Sequence, residues 1–142
     1  MMISTKGRYA LRVMLDLAEN QRNNYIPLRD IAKRQEISEK YLETILPVLI
    51  KNNYLEGLRG KGGGYKLSRE PETYTIGSIL KLLESGIAPV ACLEGEENHC
   101  ARACKCKTLP MWETLYKMID EYFEGITLAD LCENGGQLDF VI

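Results

Sequence analysis

The apolar positions near the start of the chain recur at the spacing of an α-helix. Between residues 5 and 20 they follow one another at intervals of three and four, and charged residues occupy the opposite side. This pattern predicts a helix with one buried face. Ser4 or Thr5 precedes the first apolar turn and is placed to cap it.

Two shorter apolar runs follow, separated by a tight turn. Pro27 stands where a second helix begins, and that helix extends to about Arg34. The turn 35–38 ends at Ser38, which is placed to cap a third helix that ends near Asn52. The pattern is typical of a helix-turn-helix, although an ordinary helical hairpin has the same pattern.

In a helix-turn-helix the first residues of the second helix of the pair lie against base edges in the major groove of DNA. The third predicted helix therefore supplies the candidate DNA contacts. These are Ser38, Glu39, Lys40, Tyr41, Glu43 and Thr44.

A glycine-rich segment downstream predicts a β-hairpin. The alternating stretches 54–59 and 65–68 flank Gly60–Gly64, and Arg59 and Lys61 make the tip cationic. A nucleotide-binding loop would need a Gly-Lys-Ser/Thr sequence that opens a helix, whereas a strand follows here. We expect a wing that enters the minor groove, where negative potential attracts arginine.

The second half of the chain predicts a sensor and an interaction helix. A short helix from Ile76 ends near Gly86, and residues 87–107 have no periodicity, which is typical of a functional loop. Helical spacing returns over 109–123, followed by a last helix over 127–132 and a tail. The apolar stripe of the 109–123 helix forms either part of the core or a contact with a second copy of the chain. Its members are Leu109, Trp112, Leu115, Tyr116, Ile119, Tyr122 and Phe123.

The charge distribution changes what the composition implies. The 142 residues carry a formal net charge of −2, which by itself argues against nucleic acid as a partner. However, residues 1–69 contain 13 Lys/Arg and 7 Asp/Glu, and residues 70–142 contain 5 and 13. The basic first half is therefore compatible with DNA.

Other classes of protein are not expected. The size suits one domain with an appendage, and 45% hydrophobic residues suit a globular core. A single histidine and no recognisable catalytic set argue against an enzyme. Charged residues interrupt the first 20 positions, so we expect a cytoplasmic protein without a signal peptide or membrane anchor.

Four of the five cysteines lie within 15 positions, together with the only histidine. They are Cys92, Cys100, Cys104 and Cys106, with His99 among them. Such clustering is typical of an iron–sulfur cluster, a zinc site or a thiol/disulfide switch, and the spacing leaves these open. Cys132 lies on an apolar helix and is expected in the core.

Several segments of the chain resemble one known family over about residues 1–134. They are Ser4–Leu11, Ile37–Ser38 with Tyr41–Glu43, Arg59–Tyr65, the cysteine loop, Trp112 and Ile126–Leu128. Together they resemble the IscR/NsrR/CymR family of winged-helix transcription regulators, also called the Rrf-two family. The resemblance implies a mostly α fold with a small β-hairpin wing and a long dimerisation helix, forming a homodimer on palindromic promoter DNA. It also implies that Glu43 discriminates between classes of site and that Arg59 enters the minor groove.

The same resemblance implies a metal cofactor. In the IscR branch three loop cysteines and a histidine hold a two-iron (2Fe–2S) cluster, and the cysteines correspond to Cys92, Cys100 and Cys106. The histidine position falls on Leu109, and the aspartate ligand of the NsrR branch falls on Arg8. The fourth ligand is left open between Cys104, His99 and a group from outside the chain.

We therefore expect a regulator that senses iron–sulfur status through this loop. The alternative is a metal-free repressor of the CymR type, which acts through thiols or a partner enzyme. The expected division is a winged helix-turn-helix over 1–70, a connecting helix and sensor loop over 71–108, a dimerisation helix and C-terminal helix over 109–134, and a tail over 135–142.

Overall fold

A computed structural model describes residues 2–20 and 24–134. Its elements are α1 (Thr5–Asn20), α2 (Leu28–Gln35), α3 (Glu39–Lys51), β1 (Leu55–Leu58), β2 (Gly64–Leu67), α4 (Ile76–Leu83), α5 (Leu109–Glu124) and α6 (Leu128–Asn134). Single 3₁₀ turns lie at Pro71–Thr73, Ala91–Leu93 and Ala103–Lys105. The predicted mostly helical fold with one small hairpin is confirmed. The predicted tail lies outside the described residues.

Local side-chain bonds set the helix starts that the sequence predicts. Ser4 Oγ accepts from the Gly7 N–H at 3.0 Å, so Ser4 rather than Thr5 caps α1. Ser38 Oγ accepts from the Tyr41 N–H at 3.1 Å and caps α3. Between α2 and α3, Glu36 takes a left-handed conformation with φ 55°, which ends α2 and makes the tight turn.

The main core lies between α1, α3 and the hairpin. It contains apolar side chains that are almost completely buried, among them Ala10, Val13, Met14, Leu17, Ile31, Leu42, Ile45, Leu46, Leu49, Leu55, Leu67, Tyr74, Ile79 and Leu128. One charged group is buried beside it: the Asp16 carboxylate accepts from Arg34 at 2.8 and 3.0 Å and from the Gln35 amide at 3.0 Å. This polar contact joins α1 to α2.

The wing has a third backbone partner that the sequence pattern does not predict. β1 and β2 pair antiparallel, with Leu55 opposite Leu67. Ile26 then pairs with Tyr65 through two backbone hydrogen bonds, both of 2.8 Å. A Cβ on Gly64, which has φ 148°, would lie 2.2 Å from the Ile26 carbonyl oxygen, so the close approach requires glycine.

A second, smaller core joins α4 to α5. Its fully enclosed members Ile76, Leu80 and Ile87 pack against Tyr116, Ile119 and Phe123 of α5. At its edge the Lys81 ammonium contacts Asp120 at 2.5 Å and Glu124 at 3.0 Å. These contacts raise the pKa of Lys81, chiefly through the hydrogen bond to Asp120. None of the described helices is long and apolar enough to cross a bilayer.

Candidate DNA interface and cysteine loop

The first turns of α3 present side chains to solvent, as expected for a reading helix. Ser38, Lys40, Glu43 and Thr44 are exposed. Two of their hydroxyls already have local partners, because Ser38 Oγ caps the helix and Thr44 Oγ1 donates to the Tyr41 carbonyl at 2.6 Å. Glu39, which is exposed as well, Lys40 and Glu43 are therefore the side chains best placed to extend toward a ligand.

Tyr41 supports the reading helix rather than standing free on its surface. Its half-buried ring meets the Tyr9 ring edge-on, with 5.3 Å between the centroids. The Arg12 guanidinium lies over the Tyr9 ring, 5.1 Å from its centroid, and donates to the Gln35 carbonyl. This group of side chains connects α1 with the start of α3 and the end of α2.

The wing tip is exposed and cationic. Arg59 and Lys61 are both exposed, and the chain turns through Gly60 and Gly62, with φ 93° and 80°. The Gly63 N–H donates to the Gly60 carbonyl at 3.0 Å and closes the turn. Left-handed positions of this kind suit glycine, so the tip carries its two cations on a tight backbone turn.

The reading helix and the wing border one another. A groove of about 720 Å³ is lined by Pro47, Ile50 and Lys51 of α3 and by Leu58, Arg59 and Gly60 of the wing, among others. The structure thus places Arg59 beside the C-terminal part of α3, whereas Lys61 and the predicted reading residues 38–44 do not line this groove.

The predicted loop lies between α4 and α5 and contains two of the 3₁₀ turns. Cys92 is in the first turn and Cys104 in the second; Cys92 and Cys106 are half-buried, and Cys100 and Cys104 are exposed. Among the described residues, no three Cys, His, Asp or Glu side chains come close enough together to hold one ion. The structure therefore does not gather the three predicted cysteine ligands.

Part of the predicted set does share a cavity. A space of about 350 Å³ is lined by Ala91, Cys92, Glu94, Glu97, His99 and Cys100. It brings Cys92, Cys100 and the only histidine of the chain to one surface. Cys104 and Cys106 lie outside this lining.

Cys106 lies just before α5, where its sulfur has a hydrogen-bond partner. Its sulfur is 3.3 Å from Thr108 Oγ1, and that hydrogen bond is the main cause of the lowered pKa of Cys106. The backbone N–H groups of Thr108 and Leu109 and the charge of Arg102 lower the pKa further, and desolvation opposes them. Thiolate is the form that binds iron, so the donor chemistry of the loop fits an iron–sulfur cluster.

One functional surface is only partly predicted from the sequence. Of the predicted stripe on α5, Tyr116, Ile119 and Phe123 face the core, while Leu115 and Tyr122 are exposed. The exposed pair continues through two methionines that the prediction omits. The resulting outer face consists of Met111, Leu115, Met118 and Tyr122, exposed by 54, 38, 61 and 44%. The sequence does contain a signal for this outer face, because its four residues are spaced by four, three and four positions, as in a heptad repeat.

The expectation for Cys132 is not met. Its side chain is half-buried rather than enclosed in the core.

Comparison with known proteins gives a consistent result. The family model Rrf2, described as an iron-dependent transcriptional regulator, matches residues 3–134. The transcriptional regulator IscR of Yersinia enterocolitica is 35% identical over 134 residues, which is 94% of this chain and 80% of that protein. IscR of Sodalis glossinidius is 36% identical over 141 residues, covering 99% of this chain and 84% of that protein.

Solved structures show the same relationship. CymR, the global cysteine regulator of B. subtilis, superposes with a TM-score of 0.77 at 35% identity, covering 94% of this chain and 97% of CymR. T. potens IscR superposes with a TM-score of 0.75 at 34% identity, covering 99% of this chain and 93% of the other. The relatives with assigned functions are transcription regulators rather than enzymes, as expected from the sequence.

Proposed function

Because this chain belongs to the Rrf2 family of transcriptional regulators, we propose that it is a homodimer that binds promoter DNA and senses iron–sulfur status through the Cys92 to Cys106 loop. The observation that carries the DNA-binding part is the pairing of an exposed, capped reading helix with an exposed cationic wing tip. The cofactor is an iron–sulfur cluster of the 2Fe–2S type.

Each part of the first half has a distinct role in reading DNA. Lys40 and Glu43 meet base edges or phosphates in the major groove, because they are exposed on the first turns of α3. Arg59 enters the minor groove, and Lys61 contacts phosphate. Ser38 and Thr44 contribute through helix geometry, since their hydroxyls are engaged locally, and Tyr41 holds α3 against α1.

The outer face of α5 is the dimer contact. Four large apolar side chains in heptad register stay exposed on a helix whose other face is anchored to α4. Side chains at this spacing pack into holes of a facing helix, so a second copy of α5 covers them symmetrically. A homodimer also presents two reading heads to two half-sites.

In the loop, Cys92, Cys100 and Cys106 supply three thiolates to the cofactor. Bound there, the cluster supplies a redox-active and oxidant-sensitive centre. Gathering the three cysteines requires the loop to rearrange, because Cys106 lies outside the cavity that Cys92 and Cys100 line.

A series of contacts connects the start of the loop with helices α1 and α3 of the proposed DNA-binding part. Glu84, directly after α4 and ahead of the loop, accepts from the Ser4 N–H at 2.9 Å and from the Ser4 hydroxyl at 2.7 Å. Ser4 in turn caps α1, which packs against α3. A shift of the loop that moves Glu84 therefore acts on the helix that supports the reading head.

Anaerobic purification tests this proposal. We expect a coloured protein with iron and acid-labile sulfide in equal amounts and a two-iron Mössbauer signature. The single variants Cys92→Ser, Cys100→Ser and Cys106→Ser should lose the iron, whereas Cys132→Ser should keep it.

Operator selection with loaded and iron-free protein then identifies the DNA site of each form. A colourless protein that cannot be reconstituted would exclude the cofactor and leave DNA binding untouched.

Two observations support a second candidate, a metal-free thiol regulator that acts alone or with a partner enzyme. CymR resembles this chain as closely as T. potens IscR does in TM-score and identity, and no described residues form a ready metal site. A mobility shift that responds to peroxide but is unchanged by iron chelation would favour this candidate.

A further inference from the structure

Arg12 contacts both ends of the turn that separates α2 from the reading helix. Its Nε donates to Gln35 Oε1 at 3.2 Å, and its Nη2 donates to the carbonyl of Gln35, the last residue of α2. The same guanidinium lies over the Tyr9 ring, and that ring meets Tyr41 in the first turn of α3. One half-buried side chain of α1 therefore holds the turn 35–38 from both sides.

Gln35 is held from a second position on α1. Its Nε2 donates to Asp16 Oδ2 at 3.0 Å, and Asp16 lies one helical turn after Arg12. Asp16 is almost completely buried and also accepts from Arg34, so its carboxylate is fixed in place. Both ends of the Gln35 amide and its carbonyl are thus bound to α1. The next residue, Glu36, takes the left-handed conformation that turns the chain toward α3.

These contacts matter for DNA reading because the turn sets the direction of α3. Base edges are read at hydrogen-bond distance, so a small rotation of α3 moves the exposed Lys40 and Glu43 side chains away from them. Attraction to the phosphates tolerates such a shift better, since it carries no sequence information. The orientation of the reading helix therefore affects selectivity more than general affinity for DNA.

We propose that Arg12 is a positioning residue for sequence recognition, which fixes the angle of α3 by holding Gln35 on one side of the turn and the aromatic pair on the other. This inference rests on the proposed DNA-binding function and deepens it. Arginine suits the role, because its planar fork donates to two oxygens of one residue while its flat face stacks on a ring. Lysine has the same charge but lacks both the fork and the flat face.

Arg12→Lys tests the inference at constant charge. Its affinity for a selected operator should fall roughly 10-fold, the effect of one lost base contact, while its affinity for random DNA stays within about twofold. The slope of log affinity against log salt concentration should be unchanged, because the charge is kept and no phosphate contact is lost. Fluorescence anisotropy with both duplexes at several salt concentrations gives these values. Unchanged operator affinity, or equal losses on both duplexes, would overturn the inference.

Ile79→Val is the matched control for stability. Ile79 is fully buried on α4, which takes no part in the turn. Shortening this side chain lowers the free energy of unfolding but should keep the ratio of operator to random-DNA affinity. An equal loss of that ratio in Ile79→Val would show that recognition follows stability, and the positioning role of Arg12 would be refuted.

A measurement without DNA separates this inference from the proposed function. In NMR spectra of the free protein, Arg12→Lys should shift the amide signals of residues 35–41 and weaken the ring contact between Tyr9 and Tyr41. Unaltered signals would mean that Arg12 does not hold the turn, and the inference would fail while DNA binding stands. If the unmodified protein does not distinguish operator from random DNA, the proposed function fails, and the role of Arg12 in recognition fails with it.

Discussion

We predict that the wing's contribution to DNA affinity depends mainly on Arg59. Its side chain is exposed at the tip and follows directly after β1. Arg59→Ala should weaken operator binding by about 1–3 kcal/mol, because a guanidinium in a narrow minor groove is lost. Fluorescence anisotropy with labelled operator measures this. Lys117→Ala removes an equal charge from exposed α5 and is the matched control; equal losses in both variants would point to net charge alone.

Lys61 should act differently, because a phosphate contact carries no sequence information. Lys61→Ala should reduce the slope of log affinity against log salt concentration by about one, with similar effects on operator and random DNA. Titrations at several salt concentrations give the slope. A slope identical to that of the unmodified protein would mean that Lys61 lies away from the backbone of the DNA.

Tyr74 ties the base of the wing to the core through one buried hydroxyl. It donates to the Tyr54 carbonyl at 2.8 Å and accepts from the N–H groups of Ser68 and Arg69 at 3.1 and 3.0 Å. Tyr74→Phe removes these three hydrogen bonds, leaving the Ser68 N–H and the Tyr54 carbonyl only their long bond of 3.4 Å to each other. The loss should lower the free energy of unfolding by about 1–3 kcal/mol in urea titrations.

The pH dependence of this variant provides a second readout. Burial raises the pKa of Tyr74, and the N–H groups of Arg69 and Ser68 oppose the shift. The unfolded chain therefore ionises this tyrosine first, and the stability due to the neutral hydroxyl is lost as pH rises past about 10. The stability gap between the unmodified protein and Tyr74→Phe should shrink above that pH. A constant gap would contradict the role of the buried hydroxyl.

At the scale of elements, α5 has one apolar face packed against α4 and an exposed outer face that we propose contacts a second copy of the chain. Met118→Glu places a charge on the outer face and brings like charges together across a symmetric contact. The dimer dissociation constant should rise by roughly 100-fold, or about 3 kcal/mol. Sedimentation velocity measures the constant, and circular dichroism should show α5 intact because Tyr116, Ile119 and Phe123 still anchor it.

Glu113→Lys is the control for this experiment. Glu113 is exposed and lies two residues after Met111, about 200° around the helix from the outer face. This variant also changes charge on α5, yet it should leave the dimer unchanged. Equal dissociation of both variants would place the dimer contact elsewhere.

Elements with a clear period could be predicted from the sequence, and contacts between distant segments could not. The helices α1, α3 and α5 agree with their apolar spacing within a residue or two, because burial of one helix face imposes that spacing. The pairing of Ile26 with Tyr65 leaves no periodic signal, since only one residue is involved. Similarly, the loop has no period, so the shared cavity of Cys92, His99 and Cys100 emerges only in three dimensions.

At the scale of the whole molecule, the two charge halves correspond to two proposed tasks. The first 69 residues, with an excess of cations, contain the proposed DNA-reading elements, and the acidic remainder contains the loop and the helix that we propose as the dimer contact. An acidic surface repels phosphate, so under the proposed function we expect DNA contact to be restricted to the basic first half. The net charge of the chain hides this division.

If the loop and the head are coupled through Glu84 and Ser4, cofactor loss must change affinity for DNA. We expect loaded and chelated protein to differ by 5- to 150-fold on a selected operator, which corresponds to about 1–3 kcal/mol of coupling. Anaerobic titrations of both forms measure it. Glu84→Gln weakens the hydrogen bonds to Ser4 and should reduce the difference in DNA affinity between loaded and chelated protein. Identical affinities of these two forms of the unmodified protein would exclude coupling through this route.

The backbone anchoring of the wing also has a consequence for how such regulators diversify. The backbone hydrogen bonds between Ile26 and Tyr65, with the close approach at Gly64, hold the hairpin by main-chain contacts that do not depend on the side chains at its tip. Arg59 and Lys61 can therefore be exchanged at little expense in stability, provided that Gly60 and Gly62 are kept for their positive φ. The hairpin is a natural grafting position, where new operator preferences could be selected from a small library on an unchanged scaffold.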